Sequence, residues 1–267
     1  MSNRVAWPAL PALILLLVFF LFPVVRMLAF SVEDGTLDWY AKALGEGLYL
    51  RVLWNTFEIA LLVTASCLLL GYPLGFLIAT TTPGWATLGF VFVLLPLWTS
   101  VLVRTYAWMV LLGRNGVFNR LLMDWGIISD PIPMLHNFTG VLIGMVHVLL
   151  PYMVLPIYGA VRRLDPALVA AAEGLGASSW SIFWRIYLPL TLNGIFAGAV
   201  LVFVLSLGFF ITPALLGGGR VIMIAVLIEQ QVREALNWPF AAALSAVLLV
   251  ATFAVYALAQ RFTRPEA

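Results

Sequence analysis

The stretch DPALVAAAEGLGASSWSIFWRIYLP, residues 165–189, is the one polar-interrupted segment between two long apolar blocks in the second half of the chain. Asp165 is a favourable N-cap residue. Gly174 and Gly176 can end the helix that it starts, because glycine adopts the left-handed C′ conformation at little cost. Ser178 can cap a second helix that runs towards the end of the stretch. These residues predict two short helices with a glycine-bearing break. Taken alone, they fit a connector lying flat on a membrane surface as well as they fit a functional segment.

The spacing of small and apolar residues in this stretch resembles the EAA loop of inner-membrane permeases in ABC importers, which receive substrate from a soluble binding protein. The matching positions are Ala171, Ala172, Gly176, Ile186, Leu188 and Pro189. Ala170 occupies the position of the family's glutamate, so the loop departs from the family pattern there. In that family the loop forms a short coupling helix that sits in a groove of the cytoplasmic ATPase. The resemblance therefore implies that residues 161–190 form a coupling loop whose matching positions, together with Ala170, act in contact with the ATPase.

The composition of the chain is that of a membrane protein. Of its 267 residues, 63% are hydrophobic and 10% are charged, whereas soluble domains have about 45–50% apolar and about 25% charged residues. The single cysteine, Cys67, excludes a disulfide within the chain. The net charge of +2 is small and the basic residues are scattered, which argues against nucleic acid as a partner.

Six apolar blocks are long enough to cross a bilayer, because a transmembrane helix needs about 20 apolar residues. They cover about residues 9–30, 54–80, 86–112, 139–160, 191–216 and 239–260. Residues 221–228 are apolar but too few to span, so we expect an external helix there. The chain is thus predicted to be an all-α integral membrane protein with six transmembrane helices, forming a single domain over residues 1–267.

Both termini are expected on one side of the membrane, because the number of predicted spans is even. Lys and Arg are divided almost evenly between the loops on the two sides of the membrane. The positive-inside rule therefore favours a cytoplasmic location of the termini only weakly. The resemblance places the coupling helix, between spans 4 and 5, in the cytoplasm. It therefore implies a bacterial inner-membrane protein with both termini in the cytoplasm.

Two ionisable residues, Glu58 and Arg104, lie inside predicted spans and are candidates for the substrate path, because such residues are costly in a membrane. Counted along continuous helices, both lie near the outer membrane face. They could pair with each other and lock the second span to the third. Alternatively, Glu58 could face the path and attract an ammonium group, or the side chains could extend to the membrane interface.

Aromatic residues in or near the membrane core are a second group of candidates for the substrate path, because aromatic faces attract alkylammonium groups. This group comprises Trp98, Tyr106, Trp108, Phe209 and Phe210. The alternative for Trp and Tyr is a place in the aromatic belts at the membrane surfaces. Phe209 and Phe210 lie mid-span just before Thr212 and Pro213, where a proline can break a helix. We therefore predict that this pair contributes to a gate or to the substrate path.

The chain lacks the residue patterns of a metal site and of an ATPase. His136 and His147 are far apart in sequence and have no other ligand at metal-binding spacing. No G-x-x-x-x-G-K-[ST] motif is present, so we expect ATP and Mg²⁺ on a partner ATPase and no cofactor on this chain. A secondary transporter and an intramembrane enzyme are the alternatives from other classes. The first would need an inverted repeat and the second a buried catalytic pair.

Further segments resemble the spermidine/putrescine branch of these permeases. They are GYPLGFLIAT at 71–80, PLWT at 96–99, RTY at 104–106 and NWPF at 237–240. The resemblance implies a non-catalytic permease subunit that moves a small cationic solute such as putrescine or spermidine. An amino acid, γ-aminobutyrate, an opine or an aminophosphonate is the alternative cargo. The implied partners are a second permease subunit of different sequence, a cytoplasmic ATPase dimer and a periplasmic binding protein.

Overall fold

The computed structural model describes residues 10–33 and 35–263, and within these ranges the chain is helical, without β-strands. The helices are α1 (Leu10–Leu16), α2 (Phe22–Phe30), α3 (Asp38–Gly45), α4 (Gly47–Thr80), α5 (Pro83–Trp98), α6 (Val101–Leu112), α7 (Val117–Asp124), α8 (Phe138–Arg162), α9 (Pro166–Gly174), α10 (Ser179–Ile182), α11 (Leu188–Leu207), α12 (Ile211–Gly217), α13 (Ile224–Arg233) and α14 (Trp238–Thr263). Two π-helical turns, Leu17–Leu21 and Phe183–Tyr187, join α1 to α2 and α10 to α11. Each lies shortly before a proline, Pro23 or Pro189. Residue 9, the predicted start of the first span, lies outside the described residues.

Five helical segments of the described chain are long and apolar enough to cross a membrane, and one bent pair of helices makes a sixth if it counts as a span. The five are Leu13–Phe30, Gly47–Thr80, Phe138–Arg162, Ser179–Leu207 and Trp238–Leu258. The bent pair is Pro83–Trp98 followed by Val101–Asp124. The second spanning helix, α4, begins at Gly47 rather than at residue 54. Its N-terminal turns therefore extend beyond the apolar block.

The third predicted span, residues 86–112, is wrong as a single straight helix. The helix ends at Trp98 and restarts at Val101, and the two parts meet at an angle of 103°. Thr99 has a non-helical backbone, and its hydroxyl donates a hydrogen bond to the carbonyl oxygen of Pro96 at 3.1 Å. Such side chains compete with the helical backbone for its hydrogen-bond partners, which stops the helix here.

The fifth span is displaced from its predicted position at residues 191–216. Helix α10 continues through a π-helical turn into α11, so the spanning helix begins at Ser179 and ends at Leu207. The π-helical turn precedes Pro189, which has no N–H and whose ring would clash with the carbonyl four residues earlier in a regular helix. Residues 179–190 of the predicted coupling loop therefore belong to the spanning helix.

Helices α4, α8 and α11 form the core, and they approach one another closely where glycines face a neighbouring helix. A Cβ added to Gly71 of α4 or to Gly198 of α11 would lie 2.9 Å from the side chain of Met153 on α8. Gly194 is packed more tightly, since a Cβ there would lie 2.5 Å from Ala160 Cβ and 2.8 Å from a backbone carbonyl oxygen of α8. Small residues at such contacts permit the close helix packing typical of membrane proteins.

The first span lies outside this core. None of the side chains in the apolar segment Leu13–Phe30 is buried, and α2 packs against α14. Helix α13 lies where the external helix was predicted, and its Ile224 joins Phe240 of α14 in a separate small cluster. The surface of the first span is therefore open to lipid or to another subunit.

Candidate functional site

Helix α9 is held by its two ends rather than by a buried face. At its N-terminus, a side-chain oxygen of Asp165 accepts a hydrogen bond from the backbone N–H of Ala167 at 2.9 Å. None of the α9 side chains is buried. The exposed charges of Arg162 and Arg163 immediately precede the helix, so this segment lies outside the hydrocarbon layer. The surface of α9 is thus available to another molecule, except on the side that faces the C-terminal end of α4.

Gly176 closes α9 in a left-handed conformation with φ +80°. Its N–H donates to the carbonyl of Glu173 at 2.9 Å, and the N–H of Ala177 donates to the carbonyl of Ala172 at 3.0 Å. This pair of hydrogen bonds is a Schellman motif. A Cβ on Gly176 would meet no atom within 4 Å, so the backbone conformation requires the glycine and the available space does not. Gly174 is the last residue of α9, but the left-handed conformation expected of both glycines is found at Gly176 and not at Gly174.

Large apolar side chains of α9 and of the residues after it project away from the molecule. They are Leu168, Leu175, Trp180 and Trp184, and we call them the α9 patch. Leu175, directly before the capping Gly176, is 90% exposed. Local folding of the chain does not shield it from water. Leu168 and Leu175 lie on the polar segment before the fifth spanning helix, where exposed apolar side chains indicate an interaction site. Trp180 and Trp184 lie at the start of that helix.

The positions matched to the coupling loop fall into two groups in the structure. Ala170, Ala171 and Gly176 are exposed and Ala172 is half buried, so these four lie beside the α9 patch. Ile186 and Leu188 are half buried and Pro189 is exposed, and all three lie in the helix that leads into the membrane. The structure therefore brings together the small residues of the loop and places the second group on the connection to the fifth span.

An aromatic cluster links this connection to α4. Phe76 makes edge-to-face contacts with Tyr187 at 4.9 Å and with Phe183 at 5.7 Å between ring centroids. The hydroxyls of Tyr72 and Thr191 lie 3.1 Å apart, and the Thr191 hydroxyl donates to the carbonyl of Tyr187 at 2.7 Å. Sequence reasoning missed Tyr72 and Phe76, for which the polar hydroxyl of Tyr72 within an apolar run was the available signal.

A second site lies where two broken helices meet. Helix α6 starts after the break at Thr99, and α12 starts after a break at residues 208–210. The hydroxyls of Thr105 on α6 and Thr212 on α12 are buried and lie 3.1 Å apart. Breaks of this kind near a membrane span leave backbone groups free to face a transport path.

The aromatic candidates lie close to these two breaks in the sequence, and most of them are exposed. Trp98 is 88% exposed at the end of α5, and Tyr106 and Phe210 are exposed as well. Phe209 is half buried against the core and lies, with Phe210, in the break before α12 rather than within a continuous span. The helix break that was expected near Pro213 is present, and the phenylalanine pair lies in it. The role of the pair in a gate or path stays a prediction.

Glu58 and Arg104 do not form the ion pair that was one of the alternatives. Glu58 lies on the exposed face of α4, and Arg104 is buried on the inner face of α6. The ion pair present among the described residues is Arg233–Glu229. Counting residues along a straight third span placed Arg104 wrongly, because the 103° bend turns α6 away from the direction of α5.

His147 on α8 is half buried and is held by Trp108. The indole N–H of Trp108 donates to Nδ1 of His147 at 3.1 Å. Within the described parts of the chain, no group of three or more His, Cys, Asp or Glu side chains is arranged to hold a metal ion. His147 is thus a packed helix residue with one hydrogen-bonded nitrogen.

The family described as "Binding-protein-dependent transport system inner membrane component" matches residues 6–264. The chain belongs to this family. It is 39% identical over 245 residues to the spermidine/putrescine transport system permease protein PotB of Haemophilus influenzae, covering 88% of this chain and 85% of that protein. It is 38% identical over 215 residues to PotB of Escherichia coli, covering 80% of this chain and 78% of that protein.

Solved structures of ABC importers share the fold. A bacterial alginate ABC transporter in complex with an alginate-bound periplasmic protein gives a TM-score of 0.76 at 20% identity, covering 96% of this chain and 92% of that chain. The MetNI methionine ABC transporter gives a TM-score of 0.63 at 16% identity, covering 80% and 93%.

The family establishes the class of the protein. The chain is a multi-pass inner-membrane permease subunit of an ABC importer, and it is a non-catalytic component of that system. The predicted all-α membrane fold and the resemblance to the spermidine/putrescine permeases are confirmed. The class also sets aside the intramembrane enzyme and the self-contained secondary transporter.

Proposed function

We propose that this permease subunit moves putrescine, spermidine or a similar small amine cation across the bacterial inner membrane. Its similarity to two PotB proteins over most of their length is the observation that carries the proposal. The exposed aromatic faces of Trp98, Tyr106 and Phe210 at the helix breaks support it, because such faces attract ammonium groups in a site without water. A second permease subunit of different sequence would cover this surface and enclose the path. The remaining partners would be an ATPase dimer, which binds ATP and Mg²⁺, and a periplasmic binding protein that delivers the solute.

We further propose that the α9 patch docks on the ATPase in the cytoplasm. If the bent pair of helices crosses the membrane, six spans place α9 and both termini on the same side. Closure of the ATPase would then push on the patch, and the aromatic cluster of Phe76 and Tyr187 would pass this movement to the core helices. Such a transition requires a rigid connection between α9 and the core helices. The Schellman cap of α9 and the continuous helix after Ser178 provide that connection.

Uptake of labelled putrescine and spermidine tests the substrate, in cells that express the complete system. We expect saturable uptake that requires a functional ATPase and that unlabelled polyamine competes. Trp98→Leu should raise the KM by about tenfold and Trp98→Phe by less, because a cation–π contact contributes up to about 2 kcal/mol when desolvated. If the cells take up γ-aminobutyrate or an amino acid but no polyamine, that alternative cargo is the substrate.

Recovery of the ATPase with the purified permease tests the docking. Leu175→Asp places a charge at the centre of the α9 patch and disturbs no packing in this chain, because the side chain is 90% exposed. We expect it to abolish ATPase recovery, while the apolar control Leu175→Met retains it. Equal ATPase recovery from both variants would refute the docking surface.

A further inference from the structure

Arg104 is a buried cation that leaves two of its three guanidinium nitrogens without a hydrogen-bond partner among the described residues. Its side chain is 9% exposed, and its Nε and Nη1 atoms are buried with no hydrogen bond among the described residues. Buried charges in proteins are almost always paired, because an isolated charge in a medium of low polarity is costly. The proposed function rests on the exposed aromatic residues, among them Trp98 and Tyr106, and assigns no role to the buried Arg104.

The polar groups around Arg104 are able to donate hydrogen bonds. Tyr152 and His147 of α8 lie within electrostatic range of its guanidinium. Because Nδ1 of His147 accepts a hydrogen bond from Trp108, a neutral His147 carries its proton on Nε2. The N-terminus of α6, three residues before Arg104, adds the positive end of a helix dipole.

The matching acceptor is missing from the described part of the chain. Glu58 and Asp124 are the acidic residues nearest to Arg104 in the sequence, one on each side. Both are exposed, and neither forms an ion pair with Arg104. The arrangement of donors therefore complements a negatively charged group that this chain does not itself provide.

We propose that Arg104, with Tyr152 and His147, binds a carboxylate supplied from outside the chain, either by an amino-acid-like solute or by an acidic side chain of the second permease subunit. A guanidinium can bind both oxygens of a carboxylate through parallel hydrogen bonds, which an ammonium group cannot do. The tyrosine hydroxyl and the imidazole N–H would bind the remaining lone pairs. This inference rests on the permease function and not on the polyamine substrate.

Two solutes with the same four-carbon chain distinguish the sources. Putrescine carries an ammonium group at both ends, whereas γ-aminobutyrate carries a carboxylate in place of one of them. For a solute carboxylate, Arg104→Gln should raise the KM or the inhibition constant of γ-aminobutyrate by about tenfold or more and change that of putrescine by less than about twofold. For a partner carboxylate, the same variant should lower the uptake of every solute and reduce recovery of the second permease subunit by about tenfold.

The amount of the chain in the membrane is measured in parallel, and Arg104→Lys is the matched control that keeps the charge but loses the bidentate geometry. If Arg104→Gln lowers the amount of the chain itself, Tyr152→Phe decides, because it removes one donor and leaves the arginine in place. Unchanged solute constants and unchanged subunit recovery in Arg104→Gln, or in Tyr152→Phe where the first variant is lost, would overturn the proposal. If wild-type cells take up neither solute, the proposed substrate class fails, and subunit recovery still tests the carboxylate site.

Discussion

Gly176 meets two separate requirements, a left-handed backbone and an open outer surface, and three substitutions separate them. At φ +80°, alanine adds no clash, because no atom lies within 4 Å of the added Cβ. It costs about 1–2 kcal/mol in backbone energy, which lowers the ratio of capped to uncapped α9 by roughly 5–30-fold. Asparagine and aspartate tolerate this conformation better than alanine. Because these two side chains have the same shape, a difference between them reports the added charge.

We expect Gly176→Asn to keep most of the transport, Gly176→Ala to lower it, and Gly176→Asp to abolish it while the protein stays in the membrane. The initial rate of putrescine uptake and the recovery of the ATPase are measured at matched amounts of permease. Equal rates and equal ATPase recovery for the Asn and Asp variants would show that no partner covers this surface. A wild-type rate for Gly176→Ala would refute the argument that the Schellman cap matters for coupling.

Three further substitutions test contacts within the membrane domain. Gly194→Ala brings a methyl group to 2.5 Å from Ala160 Cβ and should destabilise the chain by about 1–3 kcal/mol. Thermal unfolding of the detergent-solubilised protein measures this loss of stability. An unchanged Tm would contradict the close approach of the two helices. Tyr72→Phe removes the 3.1 Å contact to Thr191 and about 0.5–1.5 kcal/mol, so uptake should fall while the amount of protein in the membrane stays constant. Thr105→Val leaves the buried Thr212 hydroxyl without its partner and should cost about 1–3 kcal/mol. The double variant with Thr212→Val should recover part of that loss in the same unfolding assay, and full additivity of the two single effects would argue against the contact.

The sequence predicted best those features that depend on neighbouring residues. The N-caps at Asp165 and Ser178 and the stop at Gly176 each need only a few residues, and the structure has all three. The long apolar blocks likewise predicted most spanning helices, since length and composition determine whether a helix can cross a membrane. The proline at Pro189 was visible, but the π-helical turn that accommodates it was not, because a bend, a stop and a π turn are all compatible with one proline.

The sequence could not predict features that depend on how the helices pack. The break at Thr99 separates two apolar segments that, joined, fit a single span in length. Once the helix bends there, Arg104 faces the interior and Tyr106 the exterior, although both were assigned to one path. The spacing of apolar residues did not show which face of these helices is buried, because apolar residues lie on all of their faces.

The π-helical turn at Phe183–Tyr187 adds one residue to a turn of helix and so rotates everything after it by about 100° around the axis. The aromatic residues before Pro189 and the glycines after it therefore occupy different stripes of one uninterrupted helix. Deleting a single residue from the turn would restore a regular helix, but either Phe183 would leave α4 or Gly194 would leave α8. A change of one residue in length, which a loop absorbs easily, would here misalign the α9 patch with the membrane core.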